Sequence, residues 1–357
     1  MKKLLSLVMT GVLVLGLMSG CGGNSGSSAS SNSGSAPASS ASSTSSAPAK
    51  AKVLKMNVTT AETSVWHVAA NKFKEEVEKG TEGRYEVQIY GNEQLSSGDM
   101  PTGVENILTG VTDLDIHSVM IMQAFEEKLT VLTMPWLFTN GYDSVDELLF
   151  NGEGGQAIMD LIEAKGAHPL ALGENGFRQL TNNVRPVQSP ADMKGMKVRI
   201  PSNNMYISLF KMLGADPTTM NWGETFTALQ QGTIDGQENP YDTIRSGKVN
   251  EVQKYMTIWN YSYDPIVLSV SQQVWDSLSD ADKAVFEQAA KDAMAAEVEA
   301  SRAMDADIIQ QFKDGGMEVN ELTDEQVAEF QKVVAPVYDE WRDRIGDDLF
   351  AAFGYTF

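Results

Sequence analysis

Residues 195–201 read Gly-Met-Lys-Val-Arg-Ile-Pro, and the segment after them has helical periodicity. The first part predicts a short β-strand that ends at Pro201, because proline lacks the N–H that a strand ladder needs. Ser202 or Asn203 can then cap a helix with apolar residues on one face. In α/β folds, ligands bind at the carboxyl ends of strands. Arg199, near the end of this strand, is therefore a candidate for ligand binding.

Strand and helix signals also alternate upstream of this stretch. Residues 53–58, 85–89 and 114–116 predict strands. Between the first two, apolar residues recur every four positions from Val65 to Val77, as on the inner face of a helix. A second helix, with proline in its first turn, precedes the third strand. This βαβαβ order predicts a parallel sheet with helices on both faces.

Downstream, residues 168–172 and 233–235 predict two more strands, and the second leads into a loop at residues 236–240. Asn-Trp-Gly-Glu at 221–224 has the spacing of a capping box at the start of a helix. The longest predicted helix runs from residue 280 to about residue 312. At 1.5 Å per residue it would span roughly 50 Å. Because that length exceeds the diameter of one lobe, we expect the helix to cross two lobes.

Six motifs follow one another in the second half of the chain. They are Gly-Phe-Arg-Gln-Leu-Thr-Asn (176–182), Arg-Pro-Val (185–187), Ser-Pro-Ala-Asp-Met-Lys-Gly-Met-Lys-Val-Arg-Ile-Pro (189–201), Gly-Ala-Asp-Pro (214–217), Asn-Trp-Gly-Glu-Thr-Phe-Thr-Ala-Leu-Gln-Gln-Gly (221–232) and Asp-Gly-Gln-Glu-Asn-Pro (235–240). In order and spacing they resemble the solute-binding proteins of tripartite ATP-independent periplasmic (TRAP) transporters, the DctP-type family. Weaker similarity extends from residue 53 to about residue 275 and includes a Met-Pro-Trp-Leu-Phe turn at 134–138.

The resemblance implies an α/β, two-lobed periplasmic-binding-protein fold of type II, with lobes that are discontinuous in sequence and a long helix spanning both. It implies that residues 53–175 and 265–304 form the first lobe, and residues 176–264 and 305–357 the second. The solute would bind in the cleft, and binding would close the lobes because only the closed state completes the pocket.

The resemblance also assigns roles to residues of the cleft. Arg199 would pair with a substrate carboxylate, and a planar guanidinium suits such bidentate contact. The other implied cleft residues are a second arginine, an amide that supports the carboxylate pair, an aromatic ring packed on the ligand, and two residues on first-lobe loops: Arg178, Asn239, Trp222, His67 and Glu93. Asn239 could instead be a turn residue before proline, and His67 and Glu93 could be structural.

The N-terminus predicts export. Residues 1–20 combine a basic start, an apolar run too short for a membrane span of about 20 residues, and small residues at the end, as in a signal peptide. Cys21 follows at the cleavage point and resembles a lipobox cysteine, although a plain secretory signal with a chance cysteine is the alternative. Residues 21–52 then predict a lipidated cysteine and a flexible tether rich in Ser, Gly, Ala and Pro. We therefore expect the protein in the cell envelope, anchored on the outer face of the cytoplasmic membrane or periplasmic.

Composition and motifs exclude several function classes. A net charge of −21 argues against nucleic acid as a partner. The three histidines have no metal-ligand spacing, and no nucleophile elbow or phosphate loop occurs, so we predict no enzyme, metal or cofactor. The predicted partners are a small organic acid and the membrane subunits of a TRAP transporter, with the membrane reached only through the lipid anchor. The alternatives are a sugar- or peptide-binding lipoprotein of an ATP-driven importer, a secreted enzyme on the same fold, and a ligand-sensing module.

Overall fold

The computed structural model describes residues 50–357 of the chain. The predicted signal peptide, Cys21 and nearly all of the predicted tether lie outside these residues. The strands are β1 (Lys52–Val58), β2 (Tyr85–Tyr90), β3 (Leu114–Ser118), β4 (Ala167–Phe177), β5 (Gln179–Asn182), β6 (Lys197–Ile200), β7 (Asp216–Thr219), β8 (Gly236–Asn239), β9 (Tyr255–Ile258), β10 (Tyr263–Ser271) and β11 (Glu318–Glu321).

Thirteen α-helices accompany the strands in this part of the chain. They are α1 (Trp66–Gly80), α2 (Met100–Thr109), α3 (Val119–Met122), α4 (Gly141–Val145), α5 (Glu153–Glu163), α6 (Asn204–Met212), α7 (Trp222–Gln230), α8 (Tyr241–Ser246), α9 (Gln272–Ser277), α10 (Asp280–Asp314), α11 (Asp324–Val334), α12 (Pro336–Ile345) and α13 (Asp347–Ala352). None of the helices in residues 50–357 is long and apolar enough to cross a membrane.

The first sheet has the strand order β2-β1-β3-β10-β4. Its first three strands are parallel, as predicted, and their inner positions are apolar, with Leu54, Met56 and Val58 fully buried. The predicted helix face packs on them, because Phe73 and Val77 of α1 are also fully buried. The prediction of a parallel sheet is incomplete, since β10 returns from later in the chain and pairs antiparallel with β3 and β4. The sheet is therefore mixed.

The second sheet has the strand order β11-β9-β5-β8-β6-β7. The predicted strand at residues 197–200 is β6, which lies parallel between β7 and β8. The strand predicted at residues 233–235 lies a few residues further along the chain, as β8 at Gly236–Asn239. Gln237 and Glu238 are fully buried although polar, since their side chains form hydrogen bonds inside the protein. Hydrophobic periodicity does not detect such a strand.

The chain crosses between the two sheets more than once. Arg178 is the single residue between β4 of the first sheet and β5 of the second, and residues 259–262 connect β9 to β10 in the opposite direction. The two crossings are joined where Arg178 N donates to Ser262 O over 2.9 Å. We call the parts built around the first and second sheets the first and second lobe.

The predicted long helix is α10, with 35 residues. It packs on α1 and β4 of the first lobe and on α8 and β11 of the second. Phe286 near its start contacts Phe73 edge-on, with 5.7 Å between ring centroids, and anchors the helix in the first core. The predicted two-lobed α/β fold with a helix spanning both lobes is confirmed.

Candidate functional site

A narrow cavity of about 40 Å³ lies between the lobes, at the carboxyl ends of β1, β3, β6 and β8. Its walls contain three charged residues, six polar residues and six apolar residues: Arg178, Arg199 and Asp264; Thr59, Thr60, Ser118, Asn175, Asn239 and Thr243; Trp66, Met100, Met120, Ile121, Pro201 and Trp222. The structure thus brings four of the six predicted cleft residues together. A larger open groove of about 900 Å³ between α5, β4 and α10 contains none of the six, so the narrow cavity is the candidate site.

Arg199 is held at the end of β6 with one edge of its guanidinium occupied. Its Nε and Nη2 both donate to Met220 O, over 2.9 and 2.6 Å. Within residues 50–357 no carboxylate pairs with Arg199, although the side chain is only 2% exposed. The Nη1 and remaining Nη2 protons therefore form a free end-on fork. A carboxylate accepts two parallel hydrogen bonds from such a fork.

Burial changes the electrostatics of this arginine. Removal from water lowers the pKa of Arg199 to about 9, Glu238 opposes the shift, and neighbouring Arg178 adds to it. The charged form of Arg199 is thus less stable than that of an exposed arginine. A bound anion would stabilise the charged form and raise this pKa again. Trp222 at the start of α7 covers the guanidinium, which lies 5.6 Å from the ring centroid. Trp222 therefore contacts the arginine itself, in addition to lining the cavity.

Arg178 lines the same cavity, but nearly all of its donors are committed to protein groups. Nη1 donates to Asp264 Oδ2 over 2.7 Å, Nη2 donates to Glu238 Oε1 over 2.9 Å, and Nε donates to Glu238 Oε2. Although burial alone would lower its pKa, Glu238 and Asp264 raise the pKa of Arg178 well above the ordinary value. Arg178 is thus a permanently charged centre neutralised by two carboxylates.

Asn239 connects Arg178 to the cavity wall. Its Oδ1 accepts a hydrogen bond from Arg178 Nη2 over 3.0 Å, and its Nδ2 donates to Gln237 Oε1 over 2.6 Å. The side chain is fixed by both contacts and keeps one Nδ2 proton for another acceptor. Asn239 is the last residue of β8, immediately before Pro240, so its amide lies at the carboxyl end of the strand.

His67 and Glu93 are not among the residues that line the cavity. Each lies behind a lining threonine: His67 Nε2 is 3.2 Å from Thr60 O, and Glu93 Oε1 accepts a 2.7 Å hydrogen bond from Thr59 Oγ1. Glu93 also lies 3.3 Å from His117 Nδ1. Burial lowers the pKa of His117, but Glu93 and Asp115 outweigh it and raise that pKa to about 9. The charge of Glu93 is therefore balanced inside the first lobe.

Contacts between the lobes close the cavity. Asp242 of α8, only 3% exposed, accepts hydrogen bonds from Ser64 Oγ over 2.7 Å and from Val65 N over 3.0 Å at the start of α1. A carboxylate is favourable at a helix N-terminus. Asn221 was predicted to cap α7, but its side chain makes no cap bond, and its Nδ2 donates to Asp99 Oδ2 over 3.0 Å. A polar group that could have capped its own helix thus joins the two lobes.

Sequence reasoning missed several residues of the site. Thr59 and Thr60 follow β1 directly, and that position at the carboxyl end of a parallel strand was a usable signal. Glu238 was part of a quoted motif, next to Asn239, without an assigned role. Asp264 gave no signal, since its neighbourhood depends on how β10 returns to the first sheet. Within residues 50–357, no group of three or more His, Cys, Asp or Glu side chains is placed to hold a metal ion.

Comparison with known proteins identifies the family. The profile of DctP, the bacterial extracellular solute-binding protein family 7, matches residues 56–344. A solute-binding protein of Verminephrobacter eiseniae is 34% identical over 300 residues, which cover 84% of this chain and 87% of that protein. The predicted resemblance to this family is confirmed.

Solved structures agree in fold and in class. A TRAP periplasmic solute-binding protein from Ralstonia eutropha, with bound (S)-2-acetolactate, has a TM-score of 0.82 and 34% identity, covering 85% of this chain and 98% of that one. Another, from a Polaromonas species and bound to D-erythronate, has a TM-score of 0.81 and 38% identity, with coverages of 85% and 98%. These relatives bind solutes for transport and are not enzymes. The chain therefore belongs to the DctP family of bacterial extracellular solute-binding proteins.

Proposed function

We propose that the protein binds a small organic acid between its lobes, with the carboxylate on the free fork of Arg199, and delivers it to the membrane subunits of a TRAP-type transporter. The observation that carries this proposal is the buried Arg199 guanidinium, which has no carboxylate partner within residues 50–357. Burying a cation without an anion is costly, and a ligand carboxylate removes that cost. The Ralstonia and Polaromonas proteins are both described with carboxylic acids bound.

The same charges argue against a sugar or peptide as the solute. A neutral sugar would leave Arg199 without an anion. A peptide amine would need an uncommitted carboxylate, but Asp264 and Glu238 pair with Arg178. A solute with one carboxylate is complementary to this set of charges.

We further propose that solute binding stabilises a closed form, in which residues 53–175 and 265–304 move against residues 176–264 and 305–357. The contacts of Asp242 with Ser64 and of Asn221 with Asp99 exist only while the lobes are together. Because the cavity walls come from both lobes, closure and binding reinforce each other.

A thermal-shift screen of the purified full chain tests the proposed solute class. We expect (S)-2-acetolactate, D-erythronate or other short organic acids to raise the melting temperature, since a ligand at 100 times its Kd adds about 2.7 kcal/mol to the free energy of unfolding. Neutral erythritol, which has the carbon skeleton of erythronate without its carboxylate, is the matched control. Stabilisation by neutral sugars and by no organic acid would contradict the proposal.

We also propose that Cys21 carries the lipid that anchors the protein outside the cytoplasmic membrane. The support is the sequence alone, with Met-Ser-Gly at residues 18–20 before the only cysteine of the chain. Metabolic labelling with an alkyne fatty acid should tag the wild-type protein and not Cys21→Ser, because the thiol is the attachment point. Equal labelling of the two proteins would rule out this anchor.

A further inference from the structure

The charged groups in the cavity wall can balance the charge of one bound anion. Of the two arginines in its walls, Arg178 is neutralised by Glu238 and Asp264, so among the lining residues only Arg199 offers an unpaired positive charge. Asp264, whose carboxylate pairs with Arg178, lines the same cavity. A second ligand carboxylate would therefore meet a like charge and no free cation, which disfavours its ionised form.

No carboxylate in the cavity wall is available for an ammonium group either. Asp264 Oδ1 accepts a hydrogen bond from Ser118 Oγ, and its Oδ2 accepts from Arg178 Nη1 and Asn175 Nδ2, each over 2.7 Å. Glu93 lies behind Thr59, where His117 balances its charge. An amino acid would thus bury its ammonium group without an anionic partner.

Most of the polar groups in the walls already bind each other. Asn175 Oδ1 accepts hydrogen bonds from Trp66 Nε1 over 3.3 Å and from Thr243 Oγ1 over 2.7 Å, and Thr59 Oγ1 donates to Glu93. Thr60 differs from them: its side chain is 2% exposed, and its Oγ1 has no partner within residues 50–357. A buried hydroxyl without a partner is unfavourable, so an oxygen of the ligand is the group this position fits.

The rest of the wall suits hydrocarbon. Met100, Met120, Ile121 and the ring of Trp66 line the cavity. A solute with a hydroxyl on every carbon would leave several of them against these side chains, without protein partners. The cavity is also small, at about 40 Å³, so it must widen to admit any solute, and a short carbon chain requires the least widening.

We infer that the solute is a short monocarboxylate with one hydroxyl or oxo substituent on an otherwise apolar body, and that the Thr60 hydroxyl selects this substituent. The inference rests on the proposed function, because the carboxylate is taken to bind Arg199. Thr60 Oγ1 can donate to an oxo group or exchange hydrogen bonds with a hydroxyl. Thr60 is thus a specificity-determining residue, and Arg199 determines the class of anion.

Calorimetry with a matched set of four-carbon acids on the full chain tests the solute class. 2-Hydroxybutyrate or 2-oxobutyrate should bind at least about tenfold more tightly than each of butyrate, succinate, D-erythronate and 2-aminobutyrate. Relative to 2-hydroxybutyrate, butyrate lacks the hydroxyl, D-erythronate has two more hydroxyls, and 2-aminobutyrate has a charged amine in place of the hydroxyl. Succinate is butyrate with a second carboxylate in place of its methyl group.

Variants of Thr60 test the residue itself. Thr60→Val should weaken binding of 2-hydroxybutyrate by about tenfold and leave butyrate within about twofold, while Thr60→Ser should restore the preference. The melting temperature of the unliganded Thr60→Val protein should not fall, because the lost hydroxyl has no protein partner. An unchanged preference in Thr60→Val would overturn the role of this residue.

The outcomes separate this inference from the proposed function. If succinate or D-erythronate binds most tightly and binding is lost in Arg199→Ala, the inferred class is wrong and the organic-acid function stands. If neutral solutes bind and none of the acids does, both are wrong.

Discussion

Arg199→Ala should weaken binding of the organic acid by roughly 30- to 5,000-fold. Without the guanidinium, the ligand carboxylate would be buried between the lobes with no cation, and losing one partner of such a pair costs about 2–5 kcal/mol. The unliganded variant should still fold, because Arg199 pairs with no carboxylate in residues 50–357 and donates only to Met220 O. Calorimetry on protein stripped of co-purified ligand measures the affinity.

A conservative variant and a control variant show whether the loss of affinity is specific to the guanidinium of Arg199. Arg199→Lys keeps the positive charge but loses the planar fork, so it should also weaken binding substantially. Arg185→Ala removes an exposed arginine of the second lobe that donates to Asp192 O over 2.9 Å, and should leave the affinity unchanged. If Arg199→Ala is folded and binds the acid within about twofold of wild type, the carboxylate does not bind Arg199, and a neutral solute becomes the better hypothesis.

The local sequence pattern was sufficient to predict a strand or helix where apolar side chains form one face of it. The inner residues of β1 and α1 follow the expected periodicities, and Phe73 and Val77 are fully buried as predicted. It was insufficient for β8, whose residues Gln237 and Glu238 are buried through hydrogen bonds. It also could not reveal that β10 inserts antiparallel into the first sheet, because pairing between distant strands depends on the whole chain path.

The candidate site shows the same division. The position of Arg199 near a strand end is a local property, and the sequence places it correctly near the carboxyl end of β6. The ion pairing of Arg178 depends on long-range contacts, since its partners Glu238 and Asp264 are 60 and 86 residues away in the sequence. The motif therefore identifies a second arginine in the cleft but cannot tell that its charge is already neutralised.

Arg178→Met should lower the free energy of unfolding by about 3–5 kcal/mol, because it leaves two buried carboxylates without their cation. Both Glu238 and Asp264 are fully buried, and Arg178 is 1% exposed. The loss should exceed that for an apolar truncation of similar size, since unpaired charge cannot be relieved by local repacking. Thermal unfolding of the unliganded protein should show a melting temperature lower by roughly 5–15 °C.

Compensating substitutions separate this charge effect from a simple loss of packing. Adding Glu238→Gln and Asp264→Asn to Arg178→Met removes the unpaired charges and should restore most of the melting temperature. Arg84→Met, at an exposed arginine that pairs with Asp282, is the matched control and should have a far smaller effect. If Arg178→Met melts within about 1 °C of wild type while binding is lost, the ion pairs with Glu238 and Asp264 do not stabilise the fold. Arg178 would then act mainly as a ligand for the solute, because its contribution would appear only in the complex.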